Sequence, residues 1–204
     1  MKPFTLLSGP AAPVMRDNID TDIIVRIERI AKLKRGEFAP WAFEVLRYRG
    51  DGSENPDFIL NQEPFRHARI LLSGANFGCG SSREMAVWSI EEFGIRCVIA
   101  ESFGDIFHGN CLQNGVLPIR LGRAQIDFLA AIAATGEALT VDLEACTIAS
   151  ATGGAIAFAV PAAQRDALLS GQDEVDKTVA MAAQIGAFQA RDRGLRAWAY
   201  PAAA

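Results

Sequence analysis

Cysteine and histidine are scarce in this 204-residue chain, which has four Cys and two His. The cysteines, at 79, 97, 111 and 146, form no C-x-x-C pair and have no close histidine partners, so the sequence writes neither a zinc knuckle nor a redox dithiol. They read as reduced thiols. His67 and His108 have no G-x-S-x-G elbow to serve, which argues against a serine-hydrolase triad. Long apolar runs are missing too: 128–134 and 155–163 fall far short of the roughly 18 residues that cross a bilayer, so no membrane span is expected. One lysine and a few apolar residues before Gly9-Pro10 make no secretory signal, and a cytoplasmic location is the expectation. Nor is there an excess of positive charge. Lys plus Arg total 20 against 24 Asp plus Glu, a formal net charge of -4 that opposes non-specific nucleic-acid binding.

What remains is an ordinary globular composition, with 50% hydrophobic and 22% charged residues, which excludes global disorder and fibres. The length suits one domain with a short appendage. Charge is unevenly spread: the amino-terminal part is richer in cations, and residues from 124 onward are richer in acids. Arg26, Arg29, Lys32, Lys34 and Arg35 cluster, either as a solvated face or toward an anionic partner. Residues 47–57 are rich in turn formers and read as an exposed loop.

The clearest structural signal lies mid-chain. Residues 69–73 form a short apolar run ended by Gly74, as expected of a buried strand, and a glycine-rich turn follows. Ser81-Ser82-Arg83-Glu84 matches an S-x-x-E capping box before an apolar helical face that Gly94 closes, and 95–100 is a second strand. This βαβ unit predicts parallel strands, with a binding site beyond their carboxyl ends, at 74–83. A short helix opening at Ser102, a strand at 116–121 with Pro118 favouring an edge, a helix at 124–135, a hairpin pairing 139–143 with 156–160, and helices at 161–169 and 173–192 complete the reading.

The glycine turn has no lysine for a P-loop and lacks the third glycine of a dinucleotide fingerprint, where Arg83 stands instead. Two hydroxyls at a helix start, a guanidinium beside them and flanking glycines describe an anion site. Arg83 offers a planar fork to a carboxylate, and Ser81 in such a field can have its pKa depressed and accept a proton. The plainer role for Ser81 is that of an N-cap.

Asn76-Phe77-Gly78-Cys79-Gly80-Ser81-Ser82-Arg83-Glu84 resembles the signature of the 3-isopropylmalate dehydratase small-subunit family, and is similar to the swivelling domain of aconitase. The resemblance extends to Asp17-Asn18-Ile19-Asp20-Thr21-Asp22-Ile23-Ile24, to the segment from Asn55 to Asn61, and to Ser102-Phe103-Gly104-Asp105-Ile106-Phe107 with Asn110 and the stretch from Asn114 to Ile119. It implies a single three-layer swivelling α/β domain over 1–204 with a mixed, partly parallel sheet, a motif-bearing core at 14–121 and a helical extension from about 161. It also implies an enzyme subunit that interconverts 2- and 3-isopropylmalate in leucine biosynthesis, with a small dicarboxylate as substrate. By motif position, Ser81 is the proton acceptor, Arg83 binds substrate carboxylate and Ser82 adds a hydrogen bond. Asp22 orients a histidine of the partner, and Arg47 belongs to a loop associated with substrate choice. No metal ligand or cofactor is expected in this chain; a four-iron, four-sulfur cluster is expected in a separate large subunit.

The chain departs from the family pattern beside the motif, with Met85-Ala86-Val87-Trp88-Ser89 where His-Ala-Pro-Trp-Ala is usual, and with Arg26 and Glu101 where proline is usual. Two other readings therefore stay open: a divergent paralogue acting on another small hydroxy-diacid, such as a methylated malate, and a non-catalytic anion-binding domain.

Overall fold

The computed structural model describes residues 1–200, in two compact units that meet in sequence between Gly171 and Gln172. The first unit holds seven strands: β1 (Leu6–Val14), β2 (Ile70–Ser73), β3 (Cys97–Ala100), β4 (Leu117–Arg120), β5 (Ala138–Asp142), β6 (Thr147–Ser150) and β7 (Gly154–Ala157). Its helices are α1 (Thr21–Ile24), α2 (Ile27–Ile30), α3 (Glu44–Arg47), α4 (Glu84–Phe93), α5 (Asp105–Gln113), α6 (Arg123–Ala134) and α7 (Ala162–Ser170). The strands form one sheet in the order β4-β3-β2-β1-β5-β6-β7, parallel from β1 to β4 and antiparallel from β5 to β7. The expected mixed, partly parallel α/β sheet is what the structure holds.

All four residues of β2 and of β3 are buried, as two-sided coverage by helices requires. Side chains alternate between two cores: Leu71 and Val98 join Ala86, Ile90 and Phe107 on the face covered by α4 and α5, while Ile70, Leu72 and Ile99 join Ile126 and Leu129 on the face covered by α6. That alternation makes three layers. The chain leaves α4 at Gly94, in the left-handed region. Pro118 sits on the edge strand β4, where a missing N–H costs little.

Three expectations need correction. The sequence reading names no strand before residue 69, yet β1 occupies the middle of the sheet. Gly9, Pro10 and Pro13 disguise it; they are tolerated because residues 6–10 pair only with β5 and residues 11–14 only with β2. The expected two-stranded hairpin is a three-stranded meander, in which residues between β6 and β7 form the turn. Ile148 is the one buried residue of β6, too little to mark a strand. Finally, Ser81 does not cap α4. Arg83 is the N-cap, in extended conformation and without a side-chain cap bond, and the Glu84 carboxylate accepts from Asn114 Nδ2 at 2.9 Å instead of turning back to the loop.

The second unit carries α8 (Glu174–Ala180) and α9 (Ala182–Leu195). Asp173 caps α8, accepting from Asp176 N at 2.8 Å, and Asp192 on α9 accepts from Arg196 Nε at 2.7 Å and from the Tyr200 hydroxyl at 2.9 Å. The end of the expected extension, 201–204, lies outside the described residues.

Ile90 is fully buried under the sheet. Ile90→Ala is expected to cost about 2 to 5 kcal/mol in a urea titration of the chain, through lost transfer energy and a residual cavity. A cost under about 1 kcal/mol would show that α4 is not packed as described.

Candidate active site

The parallel strands β1, β2 and β3 all end on one side of the sheet, and the three segments that leave them run together there. Residues 17–21 follow β1, the glycine loop follows β2, and Ser102-Phe103-Gly104 follows β3. Asn18 N donates to Ala75 O at 2.9 Å, Gly78 N to Ile19 O at 2.7 Å and Thr21 N to Cys79 O at 2.9 Å. On the other side Phe77 N donates to Ser102 O and Gly104 N to Phe77 O, each at 2.9 Å. The loop is thus the middle strand of a small irregular ladder built beyond the sheet. Gly78 has φ +70°, and a Cβ there would lie 2.2 Å from Cγ of Phe107. Only glycine satisfies both the backbone and the ring.

The ladder walls a pocket of about 310 Å³, open to solvent on one side, lined by Thr21, Gly78, Cys79, Gly80, Ser81 and Arg83 from two segments and by 104–107 from the third. This volume is near the lower end for small-molecule sites. Ser81 and Ser82 are exposed, and neither hydroxyl has a hydrogen-bond partner among the described residues, so neither is spent on capping. Arg83 is mostly covered, with 15% of its side chain exposed, and donates through Nη1 to a carboxylate oxygen of Asp22, itself half exposed. Of the five candidate residues, Ser81 and Arg83 line the pocket and Asp22 reaches it through Arg83. Ser82 is adjacent in sequence but not in the lining.

Arg47 is elsewhere. It was expected in an exposed loop, but it closes α3 and is only 8% exposed. Its Nε donates to Asn61 Oδ1 at 3.1 Å, Nη1 donates to Pro40 O at 3.3 Å, and Asn61 Nδ2 returns a bond to Arg47 O at 2.6 Å. A guanidinium is tolerated in such a place because carbonyls and an amide surround it, and the Phe93 ring lies 4.9 Å from it. Arg47 braces the segment before β2 and does not line the Ser81 pocket. The basic cluster is also partly neutralised: Arg29 makes a two-point pair with Glu44, at 2.9 and 2.6 Å, and lies flat on Trp41, while Arg26 pairs with Glu28.

Sequence reasoning missed Thr21 and Asp105 as pocket residues. Both stood inside motifs, but nothing in their spacing showed that two distant segments would flank the loop. Cys79 lines the pocket without a histidine beside it, and burial together with the Asp20 carboxylate pushes its thiol above the usual value. Met85 and Trp88, as expected, pack on the core, and Trp88 Nε1 donates to Asn114 Oδ1 at 3.0 Å.

A sheet parallel on one side, with this three-segment site at its carboxyl ends, agrees with the aconitase-type α/β domain that the motif resemblance implies. A family model described as the aconitase C-terminal domain matches residues 1–124. The chain is 46% identical to the 3-isopropylmalate dehydratase small subunit of Dinoroseobacter shibae over 200 residues, covering 97% of this chain and 100% of that one. It is equally identical, over 201 residues, to the small subunit of Rhodopseudomonas palustris, covering 98% and 100%. The crystal structure of a 3-isopropylmalate dehydratase from Methanocaldococcus jannaschii shares the fold, with a TM-score of 0.65 at 24% identity over 92% of this chain and 99% of that one. This chain belongs to the family of 3-isopropylmalate dehydratase small subunits.

Two expectations follow from the site. Arg47→Ala leaves the buried Asn61 Oδ1 and the Pro40 carbonyl without their donor and is expected to destabilise the chain by at least about 1.5 kcal/mol, measured by urea titration; an unchanged midpoint would return Arg47 to an exposed role. Cys79, held as the neutral thiol, is expected to react with iodoacetamide at pH 8 more slowly than free glutathione, and faster once Asp20→Asn removes the neighbouring charge. Peptide mapping by mass spectrometry reads both rates, and a Cys79 faster than glutathione would contradict the assignment.

Proposed function

We propose that this chain is the small subunit of the dehydratase that interconverts 2- and 3-isopropylmalate by removing and re-adding water, a step of leucine biosynthesis. The observation that carries the reading is the convergence of an unpaired Ser81 hydroxyl and the Arg83 fork in one pocket, in a chain similar over its full length to small subunits named for that dehydratase. That full-length similarity favours this reading over a paralogue acting on another diacid and over a non-catalytic domain.

Removing a carbon-bound proton next to a carboxylate builds negative charge on that carboxylate. Arg83 lies in the pocket wall where it can hold the carboxylate, and its Asp22 contact occupies one nitrogen and leaves the rest of the fork free for a second anion. Asp22 sets the direction of the fork. Ser81 Oγ, which lines the same pocket, takes the proton as the hydroxyl leaves the neighbouring carbon, and gives it back to that neighbouring carbon when water adds to the first one. Ser82, exposed next to it, adds a hydrogen bond to substrate. The α4 N-terminus, three residues beyond Ser81, contributes a weaker field than a direct cap would.

The partner is a large subunit, and the substrate closes between the two chains. An iron-sulfur cluster fits that partner better than this chain: among the described residues no three His, Cys, Asp or Glu side chains stand together as a ligand set, and Cys97 and Cys111 are sealed in the core. In the partner such a cluster supplies a Lewis acid for the leaving hydroxyl. No helix among the described residues is long and apolar enough to cross a membrane. We propose a cytoplasmic enzyme.

Anaerobic reconstitution with the large subunit, assayed on a panel of hydroxy-diacids, tests the proposal. Isopropylmalate is the expected best substrate. Ser81→Ala is expected to fold, bind the partner and lose at least about 10² in turnover, the lower range for general acid–base catalysis. Turnover within about tenfold of the parent, with the cluster intact, would remove Ser81 from the role of base.

A further inference from the structure

We propose that Thr21 is a positioning residue for Ser81, its hydroxyl fixing the carbonyl of the serine and so the place of the base. The inference rests on the proposed role of Ser81 and deepens it. The ladder between residues 18–21 and the glycine loop runs by backbone pairing as far as Cys79, where Thr21 N is the last donor, at 2.9 Å. There the first segment turns into α1: Ile23 N bonds back to the Asp20 carboxylate at 2.8 Å. The loop goes on for four more residues, 80–83, before α4 begins. The Thr21 hydroxyl extends the ladder over this gap by donating to Ser81 O at 3.1 Å.

Among the described residues this is the sole hydrogen bond made by Ser81 or Ser82. Both serines are exposed, and Gly80 before them has φ +92°. A serine between a glycine and an exposed neighbour has little else to keep it still. Thr21, by contrast, is 2% exposed, and its β-branched side chain is held in one rotamer by the packing around it. The contact therefore links a buried residue of the wall to the residue that must present an oxygen to substrate. Proton transfer from carbon is sensitive to placement on the scale of an ångström, where a misplaced group can lose about 10² in rate. Arg83 is tied to the same helix through Asp22, so both pocket groups are held by adjacent residues of α1.

Two variants separate the hydrogen bond from the packing. Thr21→Val keeps the volume and removes the donor, while Thr21→Ser keeps the donor. In the reconstituted complex Thr21→Val is expected to lower kcat about tenfold or more with KM within about threefold, and Thr21→Ser to regain most of that loss. In the full chain without its partner, the backbone 15N order parameters of Ser81 and Ser82 are expected to fall in Thr21→Val and to stay near the parent values in Thr21→Ser. Parent-like kcat in Thr21→Val, or equal losses in the two variants, would overturn the proposal, as would unchanged order parameters. If the parent complex fails to convert isopropylmalate, the functional reading fails by itself, and the order parameters still decide whether Thr21 anchors the loop.

Discussion

Gly78 is the constraint on which the site depends. Its N–H is bonded to Ile19 O, its missing side chain makes room for the Phe107 ring, and a Cβ on Gly104 would come within 2.6 Å of its carbonyl oxygen. Three chain segments approach one another here more closely than any side chain permits. Because β1, β2 and β3 are parallel, all three segments emerge on the same side of the sheet, and the contact at Gly78 locks them into one wall. Everything with chemistry in it, from Thr21 to Arg83, is placed relative to that contact.

The wall is built for work with a partner. Ser81 and Ser82 are exposed, the pocket opens to solvent, and the mostly covered Arg83 is paired with a half-exposed Asp22. A pair with one partner so exposed contributes little to stability, on the order of 0 to 1 kcal/mol. Its value is in direction: a guanidinium restrained at one nitrogen is already aimed, and a carboxylate that arrives later loses less freedom in binding it. Under the proposed role, the Ser81 hydroxyl, which makes no hydrogen bond among the described residues, is left to the substrate.

The surrounding structure keeps this wall in place by ordinary means. Two apolar cores on either side of the sheet hold β1, β2 and β3, and Asn114, bonded to Glu84, Trp88 and Asn110, ties the start of α4 to α5. Arg47 performs a comparable task further out, using a charge where an apolar residue could not satisfy the carbonyls it meets.

Much of this was legible in the chain alone. The apolar runs at 69–73 and 95–100, the helix between them and the glycine turn specified a parallel βαβ unit and pointed to its carboxyl end, because strand and helix periods and glycine punctuation are local properties. The motif from Asn76 to Glu84 carried the resemblance to the family. Three things were decided only in three dimensions. β1 was hidden because its glycine and prolines look like a turn until two different neighbours share its length between them. Ser81 matched a capping box, but the helix starts at Glu84, since Glu84 is drawn to Asn114 and Thr21 holds the loop extended. Arg47 looked exposed in a polar stretch, and its burial depends on Asn61 and carbonyls that arrive from other parts of the chain. Local pattern specifies an element, but which side chains meet is settled by contacts between residues far apart in sequence, and a catalytic wall is made of such contacts.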